Sequence, residues 1–468
     1  KAASPDPSSD ERRPFFFAFP MKKLRWQILV VAVTLVVVAV HLSRKQRVPD
    51  MLHRLEFHAM GCEMLAVVDR ESVPLLLAKV PEWFEEWEQV LSRFRFDSEL
   101  TRLNQIIDYE PGDLTATFQA GMLLREAQTS LHRSGQFLPF DPARCERATI
   151  GGILATNSSG PWRHRYGTAR DLVIGIRVVH ADGTLTKGGA KVVKSVSGYD
   201  MNKLYVGSLG TLGIILEATV RLYPLPAVER TWIALFLTGE AAACAVDRIL
   251  RSTIVCTRVE LLSSFAAQSV GRQAGCALPA DTVAVAVSVG SMFEAVETQI
   301  AAIRKFCHHE GAVAGFLVEG SAQEGLWRAI CDFPSASGDG RSWATLKASV
   351  PLAKVLETIH RAEALGRDLG LESAAVSEAG CGIVRLYWRD ETGSPEKDPT
   401  SIAKGVEELR RWVLREGGSL VILSALPAIK ASIDVWGPVG NALFLMQKLK
   451  QQFDPQGLLN PGRFVGGI

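Results

Sequence analysis

The sequence predicts an α+β protein, and three observations carry that prediction. Gly207, Gly210 and Gly213 recur at every third position in YVGSLGTLGIILEATVRLYPLP and open onto a largely apolar strand that Pro224 and Pro226 terminate. A second glycine-rich stretch, ATIGGILATNSSG, occupies Ala148–Gly160. From 229 to 425, strand-like segments alternate with single helical segments, which suits an antiparallel sheet with helices on one face.

Composition sets the outer limits. The chain has 468 residues, of which 47% are hydrophobic and 22% charged, as in a globular protein of several domains. Lys+Arg 52 against Asp+Glu 50 leaves +2, which argues against a nucleic-acid surface. The eight cysteines are scattered without a C-x-x-C, so the sequence offers neither iron–sulfur nor structural zinc ligands. Cys307, His308 and His309 are consecutive and would face different directions on a helix, which speaks against a metal site.

Residues 1–50 read as a polar leader followed by an apolar anchor or signal. Lys22, Lys23 and Arg25 precede the apolar run Ile28–Val40, and Arg44, Lys45 and Arg47 follow it. The expectation is membrane association through residues 24–42, with a cytoplasmic or peripheral location if that segment is not used. Residues 51–105 form a short unit, a strand over Phe57–Val68 and a helix over Val80–Phe94. Its FHAMGCEM and LSRFRFDSELTRLN segments resemble the opening of flavin transferases that attach FMN to proteins. The resemblance stops near Gln105, before that family's magnesium and flavin sites, so no transferase activity is expected.

Residues 106–228 come next. Pro111–Gly112 turns into a strand over Leu114–Ala120, then a helix over Met122–Arg133 ends at Gly135. Asp182–Gly183 marks a hairpin inside LVIGIRVVHADGTLTKGG. In residues 229–425, a strand over Asp281–Gly290 leads to a helix with a Ser291/Glu294 capping-box pattern. Further expectations are a strand over Ala344–Val350, a helix from Pro351, a strand over Cys381–Trp388, a helix over Ser401–Glu416 and a strand over Ser419–Leu423. Residues 426–468 hold a helix over Asn441–Phe453 and the segment FDPQGLLNPGRF.

Closely spaced backbone N–H groups at Gly151 and Gly152, with the Asn157 amide and Gly160, are chemistry for a diphosphate or the polar edge of a flavin ring. The pattern is not G-x-G-x-x-G, so a Rossmann site is not expected. Gly207–Gly213 would bring a second stretch of backbone to the same ligand, and Asn460 and Arg463 late polar contacts. Taken singly, each of these segments reads as a structural turn.

Their order from about Ile106 to the C-terminus resembles the FAD-linked oxidases of the vanillyl-alcohol-oxidase and p-cresol-methylhydroxylase type, nearest to FAD-binding subunits of bacterial glycolate oxidase. That resemblance implies a p-cresol-methylhydroxylase-type FAD-binding domain with an α+β antiparallel-sheet cap. The half-subdomain carrying an R-G-G-G diphosphate loop is missing or replaced by residues 51–105. It implies FAD as cofactor. Thr149, Gly151, Gly152, Ala155, Asn157 and Gly160 would line flavin and diphosphate, Gly210, Gly213, Ile214 and Ile215 the adenosine half, and Tyr199 and Asn460 would lie near the cofactor. It also implies a small 2-hydroxy acid substrate such as glycolate, a sister flavin subunit and an iron–sulfur subunit.

The sequence names no catalytic base. Oxidation of a hydroxy acid needs a cation for the carboxylate, and Lys347, Arg385 and Arg389 are the candidates in the cap. Two other readings stand beside this one: a membrane-anchored, transferase-like flavin-handling protein, and a fused remnant without catalysis.

Overall fold

An antiparallel hairpin opens the described chain, with β1 (His53–Ala59) paired to β2 (Cys62–Val68) from His53↔Val68 to Ala59↔Cys62. The computed structural model describes residues 53–59, 62–68, 78–82, 85, 102–189, 200–276, 278–333, 342–390 and 398–468. The chain divides into two units, Lys1–Glu99 and Leu100–Ile468. In the first, the single strand expected over Phe57–Val68 is two strands, which pair antiparallel with one another. Residues 80–82 are helical, and most of the helix expected after them lies outside the described residues, as does the apolar stretch 24–42. Among the described residues no helix is long and apolar enough to cross a membrane.

The second unit begins with β3 (Ile106–Glu110), β4 (Thr115–Gln119), α1 (Leu124–His132), β5 (Gln136–Phe137), α2 (Ile150–Thr156), α3 (Arg163–Tyr166) and α4 (Ala169–Leu172). It continues with β6 (Val173–Val179), β7 (Leu185–Gly189), α5 (Asn202–Tyr205), β8 (Ile214–Arg221) and β9 (Tyr223–Pro224). Five strands form a sheet in the order β3-β4-β8-β6-β7, every neighbouring pair antiparallel. Among the described residues this half therefore holds no parallel dinucleotide-binding sheet. Alternate residues of the strands (Phe118, Ile176, Val178, Ala218, Val220) are buried against Leu124 and Leu131 of α1 and Ile150, Ile153 and Leu154 of α2. Each large side chain sealed this way contributes about 1.5–3 kcal/mol. The β6–β7 turn forms as the sequence predicts. Gly183 takes φ +83°, and the Asp182 carboxylate accepts from Thr184 N and Oγ1, both at 2.8 Å.

The cap follows as β10 (Val228–Phe236), α6 (Gly239–Leu250), β11 (Arg258–Leu262), α7 (Ser264–Ala274), β12 (Val283–Ser291), α8 (Phe293–His309), β13 (Ala314–Val318) and α9 (Gly320–Asp332). Next are β14 (Ser342–Ser349), α10 (Val355–Asp368), β15 (Glu372–Glu378), β16 (Ile383–Arg389), α11 (Pro399–Arg415) and β17 (Ser419–Ala425). Its eight strands run in the order β13-β10-β12-β11-β15-β16-β14-β17, all neighbours antiparallel.

Helices cover both faces rather than one. On one face α6, α8, α10 and α11 bury Phe236, Val287, Leu346, Leu386 and Trp388. On the other, α7 and α9 cover Ile233, Leu262, Ala284 and Val376, because strands buried on both sides carry apolar residues at consecutive positions. Two local expectations also change. Ser291 ends β12, and α8 starts after Met292 with no side-chain cap, so the capping box does not form. Pro351 leads into a 3-10 turn, Leu352–Lys354, before α10. Finally α12 (Pro427–Ser432) and α13 (Leu443–Phe453) return the chain to the first half.

Candidate functional site

Thr149 caps α2, its Oγ1 accepting from Gly152 N at 3.1 Å, and Asn157 ends the helix at φ +48°. The glycine loop 207–213 docks on that end: Gly207 N donates to Leu154 O and Leu209 N to Ala155 O, both at 2.8 Å. Asn460 then donates from Nδ2 to Leu209 O at 2.5 Å, while the Lys450 ammonium of α13 donates to Thr211 O at 2.9 Å and Leu459 O at 2.8 Å. Three motifs far apart in sequence thus meet in one place.

The individual glycines have different reasons to be glycine. A Cβ at Gly151 would lie 2.7 Å from the Ala120 Cβ, at Gly160 2.1 Å from Asp141 O, and at Gly213 2.4 Å from the Val178 Cγ1. All three are required by protein packing. The missing Cβ at Gly213 permits its close approach to β6. Ile214 and Ile215 pair with Val179 and Val178 of β6. Gly210 takes φ +73°, and a Cβ there would lie 3.2 Å from the Asn460 amide nitrogen. Arg463 is exposed, and Tyr199 lies outside the described residues.

Gly152 and Ala155 are different, being half-buried, with nothing nearer to a Gly152 Cβ than its own capping Thr149 Oγ1 at 3.1 Å. That small-residue face, continued by half-buried Asn157, Ser158 and Ser159, fits a flat ring laid against it. The first-turn amides of α2 do not fit a diphosphate. Ile150 N donates to Met122 O and Gly151 N to Ala120 O, and Gly152 N is taken by Thr149.

The cap sheet meets the first half beside this face. Helix α3 packs on β11. Arg385 of β16 reaches the first half, donating to Ser159 O at 3.0 Å while ion-paired with Glu378 of β15. Lys347 of β14 is directly opposite Arg385 in register, so the two share a face. Burial lowers the Lys347 pKa; Glu378 opposes that shift, and Arg163 and Arg385 add to it. Among the described residues, no ion pair or hydrogen bond of the Lys347 ammonium is formed. Arg389, the third cation expected here, sits four residues after Arg385, paired with Glu372 and 4.5 Å from the Phe265 ring centre, which removes it from this role.

Other charged groups of this interface were not singled out by sequence reasoning. Burial pushes Asp141 up to about 7 although Gly160 N and Trp162 N donate to it at 3.0 and 2.7 Å. Burial also lowers the His164 pKa, with the Gly380 backbone opposing the shift, and any Cβ at Gly380 would meet that ring. Glu260 and Glu378 are both raised, first by burial; Glu378 raises Glu260 further, while Arg385 lowers both. A signal for Glu260 exists in RVELL, where a carboxylate interrupts a strand buried at every position.

Residues 99–189 match the FAD binding domain, and residues 225–421 and 436–464 the C-terminal domain of FAD linked oxidases. A glycolate oxidase subunit of Bacillus subtilis is 30% identical over 365 residues, covering 77% of each chain. The chain belongs to the FAD-linked oxidases. FAD is the cofactor of this family, and the small-residue face of α2 fits its ring. A D-lactate dehydrogenase of Archaeoglobus fulgidus is 27% identical, covering 77% of this chain and 79% of its own. Among solved structures, p-cresol methylhydroxylase has a TM-score of 0.60 at 18% identity, covering 78% of each chain. That likeness, at the level of fold, is to a p-cresol-methylhydroxylase-type architecture.

Proposed function

We propose that this FAD-linked oxidase oxidises glycolate or a similar small 2-hydroxy acid, as the FAD-binding subunit of an assembly with a sister flavin subunit and an iron–sulfur subunit. The observation that carries the reading is the Lys347 ammonium: without an ion pair or hydrogen bond among the described residues, and with Arg163 of the first half and Arg385 close enough to perturb it. Such a group holds a carboxylate, and its burial strengthens the attraction. The names of the relatives, glycolate oxidase and D-lactate dehydrogenase, agree with a ligand of that kind.

When bound, FAD supplies the two-electron acceptor for the carbon that bears the hydroxyl. Gly152, Ala155 and Asn157 would line its ring, with Thr149, Gly151 and Gly160 setting that surface from behind and Tyr199 nearby. Gly210, Gly213, Ile214, Ile215 and Asn460 would form the adenosine end. Lys347 and Arg163 hold the carboxylate, and Arg385 ties the cap to the Ser159 carbonyl so that the pocket keeps its shape. Residues 24–42 would attach the assembly to a membrane, a reading that rests on the apolar run between two basic clusters.

Anaerobic mixing of the flavin-loaded chain with glycolate and with D-lactate tests the reading. Loss of the oxidised-flavin absorbance is expected, and Lys347→Met should require far more substrate for the same loss. An unchanged spectrum with every 2-hydroxy acid tried, in flavin-loaded protein, overturns it.

A further inference from the structure

Glu260 is wholly buried in the middle of β11, and among the described residues neither of its carboxyl oxygens has a hydrogen-bond partner. Directly across the sheet is Glu378 of β15, its register partner, whose Oε2 is also unpartnered while Oε1 is held by Arg385. Opposed residues on neighbouring antiparallel strands have Cβ atoms about 4.5–5.5 Å apart, so the two carboxyl groups share one small space. Two adjacent carboxylates out of water cannot both stay ionised. Glu378 has the guanidinium, and Glu260 has no such partner. The remaining titratable or charged groups that act on Glu260 are Asp141 from the first half, Arg258 on its own strand, Cys331 of α9, Tyr387 of β16 and Cys381. None of them bonds to either Glu260 oxygen.

Three orphaned carboxyl oxygens inside a protein cost stability unless something else uses them. The strand order β11-β15-β16-β14 places Glu260, Glu378, Arg385 and Lys347 on successive strands. Lys347, Arg385 and the carboxyl pair lie on one face of the sheet, and Glu378 is close enough to Lys347 to act on its ammonium.

We propose that Glu260 and Glu378 share one proton and that their free oxygens bind the 2-hydroxyl of an acid whose carboxylate is held by Lys347 and Arg163. The pair can donate through the shared proton and accept through the ionised partner, which is what a hydroxyl needs on each side. This rests on the substrate class proposed above. It adds that the site selects the hydroxyl as well as the carboxylate, because an acid without one leaves the pair unsatisfied.

Two measurements on the full chain separate the parts. Infrared difference spectra in water and deuterium oxide, without ligand at neutral pH, should show a buried protonated carboxyl that Glu260→Gln removes. Absence of that band, or a band undiminished in both Glu260→Gln and Glu378→Gln, overturns the shared proton; the buried Asp141 carboxyl accounts for a residual band in either variant. Calorimetric titration should show glycolate binding more tightly than acetate. Glu260→Leu should weaken glycolate by roughly tenfold, the worth of about one hydrogen bond, and leave acetate unchanged. Circular dichroism checks that this variant folds, and Glu260→Gln, which keeps the shape, should retain part of the preference. Equal weakening of both acids, or of neither, overturns the hydroxyl assignment. A wild-type chain that binds neither acid overturns the substrate reading itself, while the infrared result still decides the proton.

Discussion

The Arg258 guanidinium lies 4.8 Å from the ring centre of Trp162, with the Trp327 ring 4.7 Å away as its second aromatic partner. Trp162 belongs to the first half and Arg258 to the cap, so the contact fastens one to the other. Glu229 holds the guanidinium from behind at 3.0 Å and is itself fixed by Thr257, Ser288 and Gln323.

Removing one side of this clamp should be costly in a graded way. Trp162→Leu is expected to lose about 0.5–2 kcal/mol, the range for a partly desolvated cation–π contact. Arg258→Met should lose about 3–5 kcal/mol, because Glu229 is left without its cation. Urea unfolding of both variants and of the double variant measures the coupling. Strictly additive effects would mean that the aromatic contact contributes nothing.

The glycines separate packing from ligand contact. Gly213→Ala pushes a methyl into Val178 and the Val179 carbonyl and should destabilise the first half by about 1–3 kcal/mol, with flavin lost alongside fold. Gly152→Ala meets only its own cap, and the better helix propensity of alanine offsets that crowding. It should therefore keep its stability and lose flavin. Flavin-to-protein ratio and circular dichroism read both. Full flavin retention in Gly152→Ala would move the ring away from α2.

The same pair shows what was legible in advance. Glycine spacing announced that backbone approaches something at Gly213, and the period-two and period-3.6 patterns placed most strands and helices within a few residues. Spacing did not say what is approached, since β6 and a ligand demand the same missing Cβ. The charged interface was harder to see. Asp141, the β11 pair Arg258 and Glu260, and Glu378 lie on three separate stretches, and only sheet register brings Glu260 opposite Glu378. Two-sided cover of the cap sheet was hidden because α7 and α9 look like any amphipathic helix, and sequence does not say which face they cover.

Asp454 forms the latch that brings the C-terminal segment to the glycine loop. Burial would raise its pKa, but Lys450 at 2.6 Å and the amides of Leu458 and Leu459 at 2.9 and 2.7 Å outweigh that and hold it below the usual carboxylate range. A depressed carboxylate stabilises above its unfolded pKa, and that contribution is lost as pH falls through the folded pKa. Asp454→Asn should reproduce the acid state at neutral pH at a cost of about 1–3 kcal/mol. Trp436 packs on Phe464 at 5.6 Å, so its fluorescence gives a local probe. Wild type is expected to change signal in acid, and the variant to show that signal already at neutral pH. A variant identical to wild type at neutral pH would show that the latch is held by its backbone alone.

Glu260 gives the opposite pH dependence. Burial, with Glu378 opposite, raises its folded pKa, so the folded chain keeps a proton that the unfolded chain releases once pH exceeds the ordinary glutamate value of about 4.3. The contribution to stability is intact below that value. It is lost progressively as pH rises toward the folded pKa, and beyond it the loss is constant. Glu260→Gln has the shape of the protonated acid and no proton to lose. Its urea midpoint should match wild type in acid and exceed it increasingly as pH is raised, a divergence confined to the interval between the two pKa values. Midpoints that run parallel across that whole interval would mean that Glu260 is ionised in the folded chain, with its charge met by Arg258 and Arg385.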